Sequence, residues 1–178
     1  MFFTLTIGKR LLVVFIALFL TACSEENTEI ELAQNTIQES GQKSGYPVLE
    51  VYKSSTCHCC GKWMEHLEEH GFQTTGQNIN HLSALKSEKN IQPQYQSCHT
   101  AVSKEGYVFE GHIPAKYIQQ FLQEKPDGAI GLAVPAMPLG SPGMEMGDDF
   151  DPYDILLLKA DGSAEVYARI NTREEQYQ

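Results

Sequence analysis

Three thiols and an imidazole occupy four consecutive positions at Cys57-His58-Cys59-Cys60. A thiolate is both a nucleophile and a soft metal ligand, so this run can serve redox exchange, metal binding or both. Cys57 and Cys60 are spaced i, i+3, which in a first helical turn lets them face one another and form a reversible disulfide. Cys59 breaks that simple pairing, because in a regular helix it points away from Cys57 by more than a right angle. It serves either a second pair with the distant Cys98 or a ligand set broader than a dithiol.

Zinc fits poorly. Cys57, Cys59 or Cys60, Cys98 and His99 could make a tetrahedral set, but two C-x₂-C knuckles are absent and adjacent cysteines close awkwardly on one ion. Neighbouring cysteines that point apart can instead bridge several ions. Cu(I) suits this, being soft and favouring thiolate and thioether donors. Thioethers are at hand in Met137, Met144 and Met146, although methionines in a loop also pack onto cores. Cys98 reads either as a buried core residue or as the fourth thiol, and His99 and His112 either as ligands or as ordinary satisfied residues. His66, His70 and His81 read as solvated. Trp63 is expected to pack beside the cluster and Met64 in the core.

The elements that must position these groups follow from local pattern. Val48–Tyr52 is a short β-branched and aromatic run, and Trp63, Met64 and Leu67 recur at helical spacing until Gly71. A strand, a cysteine turn and a helix over about Lys62–His70 result, which places the thiols near a helix N-terminus where the dipole favours thiolate. A second strand is expected near Phe72–Asn78, then a short helix over His81–Lys89 capped by Asn80. A hairpin around Glu105-Gly106 follows, then a helix with Pro114 at its first position and Lys125-Pro126 at its close. Asp161-Gly162 marks a last hairpin between Ile155–Leu158 and Glu165–Ile170. Gly128 to Phe150 holds five glycines, three prolines and three methionines with no period, and reads as a long loop. The order predicts an α/β, thioredoxin-like fold, a mixed sheet flanked by helices with a long Gly/Pro/Met loop.

The N-terminus speaks of export. Lys9 and Arg10 precede an apolar run over Leu11–Leu20, too short to span a membrane but suited to a secretory signal. Leu20-Thr21-Ala22-Cys23 resembles the bacterial lipobox, so residues 1–22 are expected to be removed and Cys23 lipidated. Ser24, rather than Asp, resembles lipoproteins passed on to the outer membrane. Cleavage leaves 156 of 178 residues and moves the formal charge from −10 to −12. No basic cluster remains to neutralise phosphates, which argues against nucleic acid as a partner. Residues 23–45, rich in Glu, Gln, Asn, Ser and Thr, read as a flexible tether, 46–170 as one domain and 171–178 as a polar tail.

Eight motifs stand in order along the domain: Val51-Tyr52-Lys53-Ser54, Cys57-His58-Cys59-Cys60-Gly61-Lys62-Trp63, Ser97-Cys98-His99-Thr100-Ala101, Glu110-Gly111-His112-Ile113-Pro114-Ala115, Gly131-Leu132-Ala133-Val134-Pro135, Met137-Pro138, Gly140-Ser141-Pro142-Gly143-Met144-Glu145 and Pro152-Tyr153-Asp154. In these the chain resembles the CopG-like copper-resistance proteins, long catalogued only as a domain of unknown function. Glycine often stands in that family where this chain has His58 and Ala136, and His58 could add a ligand or tune a thiolate. The resemblance implies a thioredoxin-like domain binding one or more copper ions through Cys57, Cys59, Cys60 and Cys98 in the bacterial envelope. It also implies interconversion of Cu(I) and Cu(II), and a Cys57–Cys60 couple fits this, since two thiolates give up two electrons on forming a disulfide. The candidate ligand set is Cys57, Cys59, Cys60, Cys98, His58, His99, Met137, Met144 and Met146. The alternatives are a thiol-disulfide oxidoreductase acting on protein partners and a passive copper chaperone. A redox or copper-transfer protein partner and a lipid-anchored place at the outer membrane, facing the periplasm, complete the expectation.

Overall fold

The computed structural model describes residues 45–177. The leader, Cys23 and nearly all of the tether lie outside the described residues. Among the described residues, seven strands form one mixed sheet in the order β2-β1-β3-β4-β5-β6-β7. They are β1 (Val48–Lys53), β2 (Gln73–Asn78), β3 (His99–Ser103), β4 (Val108–Glu110), β5 (Ala129–Ala133), β6 (Tyr153–Lys159) and β7 (Ala164–Ile170). Helices α1 (His58–Glu69), α2 (Leu82–Glu88) and α3 (Ala115–Glu124) complete the α/β, thioredoxin-like arrangement. β1 pairs with β2 and β4 with β5 in parallel, and the remaining neighbours are antiparallel.

Period-two alternation divides the core between the two faces of the sheet. Tyr153, Ile155 and Leu157 of β6 join Leu49 and Val51 of β1 under Trp63 and Leu67 of α1 and Ile118 and Phe121 of α3. Leu158 joins Val108, Ala133 and Ile91 in a second, smaller cluster. No helix among the described residues is long and apolar enough to cross a membrane.

Four local expectations are corrected. α1 begins at His58, four residues before the expected Lys62, because the cysteines themselves make its first turn. Asn80 does not cap α2; His81 takes that position, with no side-chain cap hydrogen bond. Pro114 stands one place earlier than expected, as the N-cap of α3. The Gly128–Phe150 segment is not a loop throughout, since β5 occupies its first part. β5 shows no alternation because it is an inner strand contributing Leu132 to one cluster and Ala133 to the other.

Candidate metal centre

Strand register decides which residues meet. Lys53 at the end of β1 pairs with His99 at the start of β3, Thr100 pairs with Glu110 at the end of β4, and Glu110 pairs with Ala133 at the end of β5. The carboxyl ends of β1, β4 and β5 therefore share one edge with the amino end of β3. Sites in open α/β sheets form at such carboxyl ends. Cys57 follows β1, Cys98 immediately precedes β3, His112 follows β4, and the methionine-bearing loop follows β5.

The first turn of α1 is built around the thiols. Cys57 is the N-cap with extended backbone, φ −80° and ψ 91°, and its amide donates to the Ser54 carbonyl at 3.1 Å. Being outside the helix, Cys57 escapes the geometry that would turn Cys59 away from it, and their sulfurs lie 3.6 Å apart. Cys57 and Cys60 are joined in a disulfide, while Cys59 and Cys98 are free. Cys98 Sγ stands 3.6 Å from Cys60 Sγ and 4.0 Å from Cys59 Sγ. No acidic residue occupies the first turn of α1, so nothing opposes the positive helix end there.

Two imidazoles close the other side of Cys98. His112 Nδ1 donates to the Pro142 carbonyl at 2.8 Å, which leaves the Nε2 lone pair facing Cys98 Sγ at 3.1 Å. A backbone carbonyl behind one ring nitrogen is how metal-ligating histidines are oriented. His99 Nδ1 lies 3.3 Å from the same sulfur, its ring against Trp63 with centroids 4.3 Å apart. His99 is fully buried and its Nε2 has no hydrogen-bond partner. Burial holds both imidazoles neutral by lowering their pKa, aided in His99 by His112. Burial, with Cys59 next to it, pushes the Cys98 thiol up to about 12. Without metal the Cys98 S–H is thus protonated at neutral pH and positioned to donate to His112.

Among the described residues two donor groups emerge, each with its ligand atoms within 4.8 Å of one another: Cys57, Cys59, Cys60 and Cys98, and Cys98, His99 and His112. Cys98 belongs to both, and a sulfur shared this way can bridge ions. Sulfur and imidazole without carboxylate is a donor set for soft or borderline metals.

The other candidates sit around this centre. His58 is exposed and falls outside both groups. Met137 and Met146 are exposed, and Met144 is half-buried. The loop carrying them is seated on α1 through Gly143. With φ at +86°, a Cβ there would lie 2.7 Å from the Cys59 carbonyl oxygen and 2.8 Å from the Trp63 nitrogen.

These features accord with known proteins. Residues 95–144 match the family described as "Protein of unknown function, DUF411". A solved structure titled "Copper resistance protein copG- Form 1" is 40% identical, with a TM-score of 0.65, and the match covers 70% of this chain and 98% of that one. The chain belongs to the CopG-like DUF411 family. A second structure, "Copper resistance protein copG- Form 2", is 39% identical at a TM-score of 0.66 with the same coverage. No curated protein sequence matches. For this CopG-like chain, the match spans the segment that carries Cys98, His99, His112 and Met144.

The sequence left His112 undecided, yet its position two residues beyond a strand paired with β3 returns it to Cys98. His66 was read as solvated and is instead buried, its Nε2 accepting the Ala115 N–H at 3.0 Å. Burial and the adjacent His70 bring its pKa down to about 4. His70 is half-buried, with Nδ1 donating to the His66 carbonyl at 2.7 Å. Trp63 packs against the centre as expected.

Proposed function

We propose that this chain is an envelope copper-binding protein that holds Cu(I) through Cys57, Cys59, Cys60 and Cys98 and interconverts Cu(I) and Cu(II) in copper tolerance. The observation that carries the proposal is the return of Cys98 to the helix-start thiols, with two neutral imidazoles on its far side. Orphaned and buried, His99 Nε2 is the kind of polar atom that calls for a functional explanation. His99 and His112 complete the inner donors, and Met144, Met146, Met137 and His58 are ancillary ligands. The names of the two solved relatives support copper as the ion. The lipobox-like Leu20-Thr21-Ala22-Cys23 supports lipid anchoring, and Ser24 after it supports a place at the outer membrane, with the domain facing the periplasm.

The redox step balances on this chain's own thiols. Two thiolates, those of Cys57 and Cys60, pass one electron each to two Cu(II) ions, giving two Cu(I) and the disulfide. While the disulfide is closed, Cys59, Cys98 and the imidazoles hold Cu(I); an external dithiol, becoming a disulfide itself, returns two electrons and two protons and restores all four thiols. A second reading, thiol-disulfide exchange with protein partners, is favoured by the closed Cys57–Cys60 disulfide at a helix start.

Copper binding by the reduced protein separates the two. Copper per chain falls sharply in Cys57→Ser and in Cys98→Ser under the copper reading, and equal loading of both variants and the parent would refute it. Reduction of insulin disulfides by metal-free protein, surviving in Cys98→Ser, would support the second reading.

A further inference from the structure

Behind the sulfurs lies a buried ion pair that metal binding does not itself use. Lys86 of α2 and Glu110 of β4 are 3% and 0% exposed, and their side chains are paired. Charges taken out of water recover their desolvation cost only where further hydrogen bonds satisfy them. Here those bonds converge on one short stretch of chain. Glu110 Oε1 accepts the Ser97 N–H at 2.6 Å, and Glu110 Oε2 accepts the Thr100 hydroxyl at 2.5 Å. Lys86 Nζ donates to the Ser97 carbonyl at 2.9 Å.

Ser97 directly precedes Cys98, and Thr100 follows it by two residues. β3 begins only at His99, so the Ser97 peptide groups lie beyond the strand and need partners of another kind. A carboxylate supplies two acceptor oxygens, and an ammonium supplies three donors, one for the carboxylate and one for the Ser97 carbonyl. The Ser97 hydroxyl also donates to the Ala136 carbonyl, tying the same residue to the chain beyond β5. We infer that Lys86 and Glu110 form a clamp that positions Cys98 against the other three sulfurs before any metal arrives. Resting on the metal reading above, the inference adds to it the groups that preorganise the fourth thiol. Both act through Ser97 and Thr100 rather than on a metal and are positioning residues, since neither belongs to the donor groups around Cys98.

A neutral amide replaces the carboxylate only in part. Glutamine at 110 keeps an acceptor oxygen for the Ser97 N–H and can donate its NH₂ to the Thr100 hydroxyl oxygen, but it loses the charge that pairs with Lys86 and strengthens these bonds. Glu110→Gln therefore weakens the clamp at nearly constant shape. The charge-free pair Lys86→Met/Glu110→Leu removes the clamp and leaves no unpaired charge, at the cost of the partners of the Ser97 peptide groups and the Thr100 hydroxyl.

The test uses full-length protein, metal-free and with the Cys57–Cys60 disulfide closed, checked for folding by thermal melting. Iodoacetamide labelling is followed by peptide mass at Cys98, with Cys59 in the same molecule as the reference. General loosening raises both rates together, whereas loss of the clamp raises Cys98 alone. The Cys98-to-Cys59 rate ratio is expected to rise about tenfold in Glu110→Gln and in the double variant, as for loss of a charge-assisted hydrogen bond. Copper affinity is expected to fall by about tenfold or more, as for other groups that orient metal ligands. Thr100→Val, which removes one bond and keeps the ion pair, is expected to give a smaller rise. An unchanged ratio in folded Glu110→Gln and in the folded double variant would overturn the clamp. If the parent protein binds no copper, the metal reading fails, and the labelling ratio still decides the clamp.

Discussion

Gly143 joins the methionine-bearing loop to the thiol helix, and Gly143→Ala is the perturbation that tests this junction. The added methyl meets the Cys59 carbonyl oxygen at 2.7 Å, the Trp63 nitrogen at 2.8 Å and the Trp63 Cα at 3.2 Å, all backbone atoms of α1. None of these can swing aside as a flexible side chain would, so the loop must lift. An L-residue at this φ of +86° costs about 1–2 kcal/mol. Lifting the loop also breaks the bond from His112 Nδ1 to the Pro142 carbonyl, worth about 1 kcal/mol. The sum is about 2–3 kcal/mol, which at about 2 kcal/mol per molar urea lowers the unfolding midpoint by about 1–1.5 M.

Urea unfolding of the metal-free protein measures that shift, and nitrogen NMR of the imidazoles shows whether His112 loses its fixed tautomer. Gly162→Ala is the control, because its φ of +85° is equally left-handed but its Cβ meets only the Gln92 side chain, at 3.2 Å or more. It should lower the midpoint less and leave His112 unmoved. A midpoint unchanged in Gly143→Ala, or lowered with the His112 signals intact, would refute the junction.

Two further outcomes follow from buried groups. His66 titrates at about 4 in the fold against 6.5 when free, so its contribution is full above pH 6.5 and is lost as pH falls toward 4. From these two values, stability of the metal-free protein should drop by about 2 kcal/mol from this residue between pH 7 and pH 5, and His66→Gln should remove that part; an equal drop in the variant would contradict it. Cys98 is protonated at neutral pH because burial and Cys59 raise its pKa, so copper binding there must release its proton. Proton release on copper loading should fall by one per chain in Cys98→Ser, and an unchanged count would place copper elsewhere.

How much of this was legible from residues alone varied with range. The strand-to-helix turn at the cysteines and the hairpin at Asp161-Gly162 were readable because their signals are local in the chain, whereas the first residue of the helix, His58, lies four residues before the expected one. The return of Cys98 was readable because a strand beginning beside it had few places to go in such a sheet. β5 was hidden, since Ala129-Ile130-Gly131-Leu132-Ala133 has the glycine of a turn and the unbroken apolarity of an inner strand. Gly131 is there because a Cβ would strike the Val108 backbone across the pair, a contact between distant segments. His66 looked solvated from its own helix, and only the arrival of α3 and Tyr177 covers it. The Lys86–Glu110 pair left no local trace, for a lysine in a seven-residue helix is ordinarily exposed.

The central claim is that four sulfurs from two distant segments make one copper centre. X-ray absorption at the copper edge, on reduced protein loaded with copper, measures it most directly. A Cu(I) edge with a first shell dominated by sulfur, weakened in Cys98→Ser, is the expected result. A first shell of nitrogen and oxygen alone, or a sulfur shell unaltered by removing Cys98, would contradict it.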